Sequence, residues 1–156
     1  MKYFRLYEDI PSRTALGFGP GGTRWNHRGV PMIYLSNYSS IAINEILSIK
    51  GALVTKSTWI LSTFEIQGEI QVFDLALLPE DWNSRPPGRT TKDIGTIFTR
   101  DLSSVCLRVP SARLNLSAFP EEHNLLVNPL HPNFSKEVVY QSSEPFNFQI
   151  NDLSNL

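Results

Sequence analysis

The chain is cut into short apolar runs that do not alternate regularly between strand-like and helix-like patterns. Repeated strand–helix–strand units would signal a parallel doubly wound sheet or barrel. Their absence, with many short strands and a few short helices, predicts a single compact α+β domain over residues 1–156. "YFRLY" (Tyr3–Tyr7) and "PMIYLS" (Pro31–Ser36) read as strands. "YSSIAINEILSIKGA" reads as a helix with Ser39 or Ser40 as its cap and Gly51 at its end. "WILSTFEI" and "IQVFDL" flank Gln67-Gly68-Glu69 and read as a hairpin. "LPEDW" reads as a helical turn and "TKDIGTIFTRD" as a short helix. "SVCLRVPS", "HNLLVNP", "KEVVYQ" and "FNFQI" read as four late strands or strand pieces. The eleven prolines are dispersed except in "SRPPGRTT" (Ser84–Thr91), whose composition suits a mobile loop.

Composition narrows the class. Hydrophobic residues make up 41% and charged residues 19%, the balance of a globular chain able to bury a core. A formal net charge of -1 lacks the basic footprint of a nucleic-acid binder. The lone cysteine, Cys106, forms no internal disulfide, which fits a reducing compartment. "MKYFRLYEDI" has no apolar signal core, and no apolar run approaches the roughly 20 residues of a membrane span. These features predict a soluble cytoplasmic protein.

One helix carries an anomaly. Ala42, Glu45, Ile46 and Ile49 fall at i, i+3, i+4 and i+7, so a carboxylate sits within an apolar stripe. An unpaired ionised carboxylate in apolar surroundings is costly. Two readings fit: a structural ion pair or solvent-reaching Glu, with Arg24 as a possible partner, or a catalytic or ligand-binding carboxylate in a wet cleft.

The segment "GFGPGGTRW" offers glycines 17, 19, 21 and 22 as backbone donors. It lacks the phosphate-loop pattern, and a strand rather than a helix follows it. Arg24 and Arg28 add bidentate anion-binding capacity. His27, His123 and His131 show no zinc-site spacing, so no metal is expected. There is no G-x-S-x-G elbow, and Ser111 stands as a lone serine after an apolar run and a proline. Trp25, Trp59 and Trp82 read as core aromatics.

In order along the chain, these pieces resemble the RES domain family, named for its Arg, Glu and Ser. The resemblance is carried by "YFRL", by "GGTRWNHRGVPMIYLS", by the helix "SIAINEIL", by "LPEDW" and "IGTIF", and by "LRVPSARL" followed by "EEHNLLVNPLHPNF". It departs from the family only in "PFNFQINDL", which lacks an Asp expected soon after the last Phe. The resemblance implies an ADP-ribosyltransferase-like fold with a mixed β core, acting on NAD+ as substrate with no prosthetic group. It places the family's functional residues on Arg24, Tyr34, Glu45 and Ser111. Trp25, Arg28 and Asn128 join Arg24 and Tyr34 as candidate NAD+-binding residues. It also implies a toxin of a type II toxin–antitoxin pair that cleaves the nicotinamide–ribose bond by hydrolysis, phosphorolysis or ADP-ribosyl transfer. Such a toxin depletes NAD+ and arrests growth until an Xre-like antitoxin binds it in a hetero-oligomer. No direct contact with nucleic acid or membrane is implied. The rival classes are an RNA-cleaving toxin and a non-enzymatic nucleotide-binding or interaction module. Without the resemblance, the residues support an α+β domain with an anion-binding cleft.

Overall fold

The structure, a computed structural model, describes residues 1–151. Seven strands form one sheet: β1 (Lys2–Glu8), β2 (Ile33–Ser36), β3 (Trp59–Ile66), β4 (Gln71–Val72), β5 (Cys106–Val109), β6 (Asn124–Val127) and β7 (Val138–Phe146). Their order across the sheet is β4-β5-β6-β2-β1-β3-β7. The β4–β5 pair is parallel and all other neighbours are antiparallel. Helices α1 (Ser39–Lys50) and α2 (Arg89–Asp101) and the single turn α3 (Phe134–Glu137) complete an α+β fold. No helix among the described residues is long and apolar enough to cross a membrane.

Three local expectations are corrected. The segments around Gly68 do not form a hairpin. β3 pairs along its length with β1 on one side and β7 on the other, which leaves the two-residue β4 no free edge there. The chain instead carries β4 to the far side of the sheet, beside β5. Ser39 and Ser40 lie inside α1, and the extended Tyr38 takes the cap position with no side-chain hydrogen bond. Gly51 does end the helix, at φ 55°, where glycine is favoured, and its N–H donates to Leu47 O. Only three late strands form among the described residues. "FNFQI" starts on Phe146, the last residue of β7 and paired with Trp59, and continues past it outside any strand; Phe148 stacks edge-on against Trp59 and Phe146 at 5.7 and 5.1 Å. The remainder of that C-terminal stretch, from residue 152, lies outside the described residues.

The two faces of the sheet are covered differently. One buries Tyr3, Ile33, Leu35, Phe64, Leu125 and Val127 in a continuous apolar cluster. On the other, strand alternation turns Leu6, Leu61 and Trp59 toward α1, while Leu107, Val109 and Leu126 meet Phe98 of α2 together with Trp25 and Met32 from the segment before β2 and Phe73 after β4. Burying each large apolar side chain contributes about 1.5–3 kcal/mol. Tyr34 and Ser36 of β2 lie between these two packed patches, and a cleft opens above them.

α2 also fixes the segment that brings Arg24 to the cleft. Thr91, Gly95, Phe98 and Thr99 are buried at i, i+4, i+7 and i+8, one helical face. At Gly95 the helix presses onto the Trp25 backbone so closely that an added Cβ would stand 1.6 Å from Trp25 O. His27 N donates to Thr96 Oγ1 at 3.3 Å, and His27 Nε2 lies 2.5 Å from Asp93 Oδ1. Trp25, Trp59 and Trp82 are all buried, as core aromatics should be.

Candidate active site

The cleft has a volume of about 310 Å³, at the small end of the roughly 300–1,000 Å³ usual for ligand sites. Its floor is a row across three strands. Phe4 of β1 pairs with Ser36 of β2, and Ser36 pairs with Asn124 of β6. Residues two apart on a strand share a face, so Tyr34 lies beside Ser36 on this floor. α1 forms one wall.

The apolar stripe with its misplaced carboxylate is that wall. Ala42, Glu45, Ile46 and Ile49 all line the cleft. The core-facing side of α1 is rotated from it, through Ala42, Ile43, Ile46 and Leu47. Glu45 therefore needs no buried counter-ion in the core, and Ile49, 64% exposed, is the rim.

Glu45 is nevertheless tightly placed. Its Oε1 accepts hydrogen bonds from Ser111 Oγ at 2.5 Å and from Asn124 Nδ2 at 2.7 Å. Asn124 Oδ1 in turn accepts from Ser36 Oγ at 2.8 Å, which fixes the amide orientation. Ser111 is buried at the end of β5, and its Oγ also accepts from the Arg113 backbone N–H at 3.2 Å. Glu45 Oε2 has a different neighbour, Arg113 Nε at 3.5 Å. The carboxylate's ion-pair partner is thus Arg113, not Arg24, because the turn after Ser111 folds Arg113 back over the carboxylate that Ser111 holds.

Arg24 reaches the same cleft from the glycine-rich turn, with Nη1 donating to the carbonyls of Trp82 (2.8 Å) and Ser84 (3.0 Å). The proline-rich loop after Trp82 is tethered to the site by this grip and by a Thr90–Asp81 hydrogen bond. Burial lowers the Arg24 pKa from its ordinary value; the nearby Arg113 charge lowers it further and Glu45 opposes both. Arginine stays protonated despite such shifts. Tyr34 presents its ring to the cleft while its hydroxyl donates to Asn26 Oδ1. Burial raises the Tyr34 pKa well above the usual phenol range, so the group remains neutral. Asn26 also accepts from Thr23 Oγ1 at 2.9 Å and donates to Val30 O at 2.8 Å, so it pins both limbs of the turn. The turn does bring Arg24 and Tyr34 to one cleft.

Five of the seven sequence-predicted residues gather here: Arg24, Tyr34 and Glu45 on the cleft wall and floor, Ser111 behind Glu45, and Trp25 at the edge with its ring packed into the core against Phe73. Two do not. Arg28 is exposed on the outer part of the turn, where Gly29 at φ 84° reverses the chain away from the cleft. Asn128 is fully buried; its Nδ2 donates to Thr99 O at 2.9 Å and its Oδ1 accepts from Leu130 N at 3.0 Å, so it locks α2 to the end of β6. Sequence reasoning missed Arg113, Asn124 and Asn26. Arg113 stands two residues after Ser111 and is the one of the three with a local signal, a cation beside a candidate site serine.

Fold and cleft together define an α+β protein with a single carboxylate held among arginines above a floor formed by β1, β2 and β6 of a mixed sheet. The chain belongs to the RES domain family, which matches residues 4–149. It is similar to a protein named Toxin Res from Yersinia enterocolitica, 37% identical over 141 residues, spanning 86% of this chain and 85% of that one. A second Toxin Res, from Photorhabdus laumondii, is 31% identical over 118 residues, spanning 75% and 72%. A protein from a Sphingobium species named Prs ADP-ribosylating toxin is 28% identical over 117 residues, spanning 72% and 69%.

Proposed function

We propose that this protein is a toxin that cleaves the nicotinamide–ribose bond of NAD+. The observation that carries the reading is the anchored carboxylate of Glu45, facing a cleft that also holds three arginines and a tyrosine ring. Relatives named as toxins, one of them ADP-ribosylating, support it.

The chemistry suits these groups. Nicotinamide leaves as a neutral base from a cationic ring, so no general acid is needed. As the C1′–N bond breaks, its electron pair goes to the ring nitrogen and positive charge develops on the ribose, as in glycoside transfer. Glu45 stabilises that charge, or holds ribose hydroxyls, through Oε2. Ser111 and Asn124 bind Oε1 and keep the carboxylate from reorienting when charge appears, which is the advantage of a preorganised site. Tyr34 offers a ring face to the cationic nicotinamide. Arg24, held by two carbonyls, binds diphosphate or ribose oxygens. An acceptor oxygen then attacks C1′ and releases a proton; water, phosphate and a protein side chain all suit this step. The cellular partner in this reading is an Xre-like antitoxin, and the site of action is the cytoplasm.

The test is NAD+ consumption by purified protein with and without phosphate, followed by chromatography of the products. Nicotinamide release is expected, with free ADP-ribose, phosphorylated ADP-ribose or modified protein naming the acceptor. Glu45→Gln should lower turnover by about 100-fold or more while the fold is retained. A folded, fully active Gln variant would overturn Glu45's role. Folded wild-type protein that binds nucleotide without consuming NAD+ would establish the binding-module alternative instead.

A further inference from the structure

Arg113 is not explained by the hydrogen bonds that explain its neighbours. Its side chain is only 13% exposed, and its Nε is buried without any hydrogen-bond acceptor. The 3.5 Å approach to Glu45 Oε2 is an ion-pair contact lacking hydrogen-bond geometry. A buried donor left without an acceptor is costly, and in native structures such a group calls for an explanation. Arg5, by contrast, also lines the cleft but directs Nη1 to the carbonyls of Ala15 and Gly17 at 2.8 and 2.7 Å. Arg113 is built to remain available.

The charges around the cleft point to what it receives. Three arginines and one carboxylate line it, in a chain whose formal net charge is -1. Arg24 and Arg113 both line it, so the two guanidinium groups bear on the same space. Two forks over one cavity match a group with several anionic oxygens.

We propose that Arg113 is the substrate-selecting cation of this cleft, taking a nucleoside diphosphate group together with Arg24. This rests on the NAD+ reading above and deepens it. The diphosphate of a dinucleotide is attached to the same ribose whose C1′ is attacked. A guanidinium beside the carboxylate that faces that ribose is therefore within reach of the phosphate oxygens. Before substrate arrives, Glu45 holds the buried Nε at ion-pair distance; phosphate oxygens then pair with the Nη groups at the end of the fork, which bind no other group among the described residues.

The experiment compares wild type with Arg113→Met and Arg113→Lys in two assays. One measures kcat/KM for NAD+ and for nicotinamide riboside, which has the scissile bond but no phosphate. The other measures ADP-ribose affinity by calorimetry and needs no turnover. Arg113→Met should lower the ratio of the two kcat/KM values by about tenfold or more and weaken ADP-ribose binding by a similar factor. Any effect transmitted through Glu45 falls on both substrates and cancels in the ratio. Equal losses on both substrates with unchanged ADP-ribose affinity would make Arg113 a positioning residue for Glu45 and overturn the proposal. Arg113→Lys keeps the charge and loses the fork. It carries the same readout if the Met variant does not fold: a ratio within about twofold of wild type overturns the proposal. Arg113-dependent ADP-ribose binding without NAD+ loss refutes the proposed function alone. NAD+ loss with ADP-ribose affinity indifferent to Arg113 refutes this inference alone.

Discussion

Replacing Gly95 by alanine sets two physical effects against each other. Gly95 lies inside α2, where glycine is disfavoured by about 0.8–1 kcal/mol relative to alanine. Helix propensity alone therefore predicts a stabilised variant. The new Cβ would stand 1.6 Å from Trp25 O and 2.7 Å from Trp25 C, whereas ordinary contact begins near 3.4 Å. The shortfall, 3.4 less 1.6, is about 1.8 Å, and both parties are backbone, so no side-chain rotation relieves it. Overpacking of this kind costs about 1–3 kcal/mol or more, which exceeds the propensity gain. The net expectation is a loss of up to roughly 2 kcal/mol, or about 4–8 °C in Tm for a domain near this size. The displaced backbone belongs to Trp25, adjacent to Arg24, so misplacement of order 1 Å at the cleft should lower NAD+ turnover by about 100-fold. Thermal unfolding and initial-rate NAD+ assays on Gly95→Ala read both effects. A variant with raised Tm and normal turnover would refute the reasoning, since helix propensity would then have outweighed the contact.

Four further outcomes are expected. Ser111→Ala removes one of the two hydrogen bonds on Glu45 Oε1, and a bond to a charged acceptor contributes about 1.5–3 kcal/mol. Its kcat should fall by about 10–100-fold with KM changed much less, as steady-state kinetics will show. Asn128→Ala breaks buried bonds to Thr99 and Leu130 and should cost about 1–3 kcal/mol in urea unfolding, while Arg28→Ala should leave both stability and turnover near wild type. His123 is buried, with Nδ1 donating to Pro120 O and Nε2 accepting from Tyr3 Oη, each at 2.8 Å; burial lowers its pKa from 6.5 to about 4. The unfolded chain takes up this proton first, so stability is full above pH 6.5 and declines as pH falls toward 4. The slope is at most about 1.4 kcal/mol per pH unit, and wild type minus His123→Gln in urea titrations should isolate it.

The features legible in the sequence were those with short-range causes. β1, β2, α1 and α2 follow from periodicity within a few residues, and Glu45 stood out because its own helix supplies the contrast. Reading its stripe as a face was correct, but periodicity does not say whether a face meets core or cleft. That is decided by the gap between the patches packed under α1 and α2, where Tyr34 and Ser36 of β2 face the cleft. Asn124 was illegible because its role depends on a register match with Ser36 and a bond to Glu45, 79 residues earlier in the chain. The misplaced hairpin has the same origin. β3 and β4 are neighbours in sequence, but β1 and β7 offer β3 far longer edges. Asn128 and Arg28 show the converse error: residues inside a strong motif can serve its packing or its surface rather than its cleft.

The position of β6 between β5 and β2 has a consequence in time. β2 and β5 leave the ribosome before the strand that must lie between them. Glu45 waits 79 residues for Asn124, roughly 4–16 s at about 5–20 residues per second. Until then β2 lacks one neighbour and the carboxylate lacks its amide, while Ser111 and Arg113 are made only 13 and 11 residues sooner. A message truncated before Asn124 yields a chain without the completed cleft, however well its first half folds. The cleft is therefore complete only once β6 has been made, whatever part of the first half of the chain has already folded.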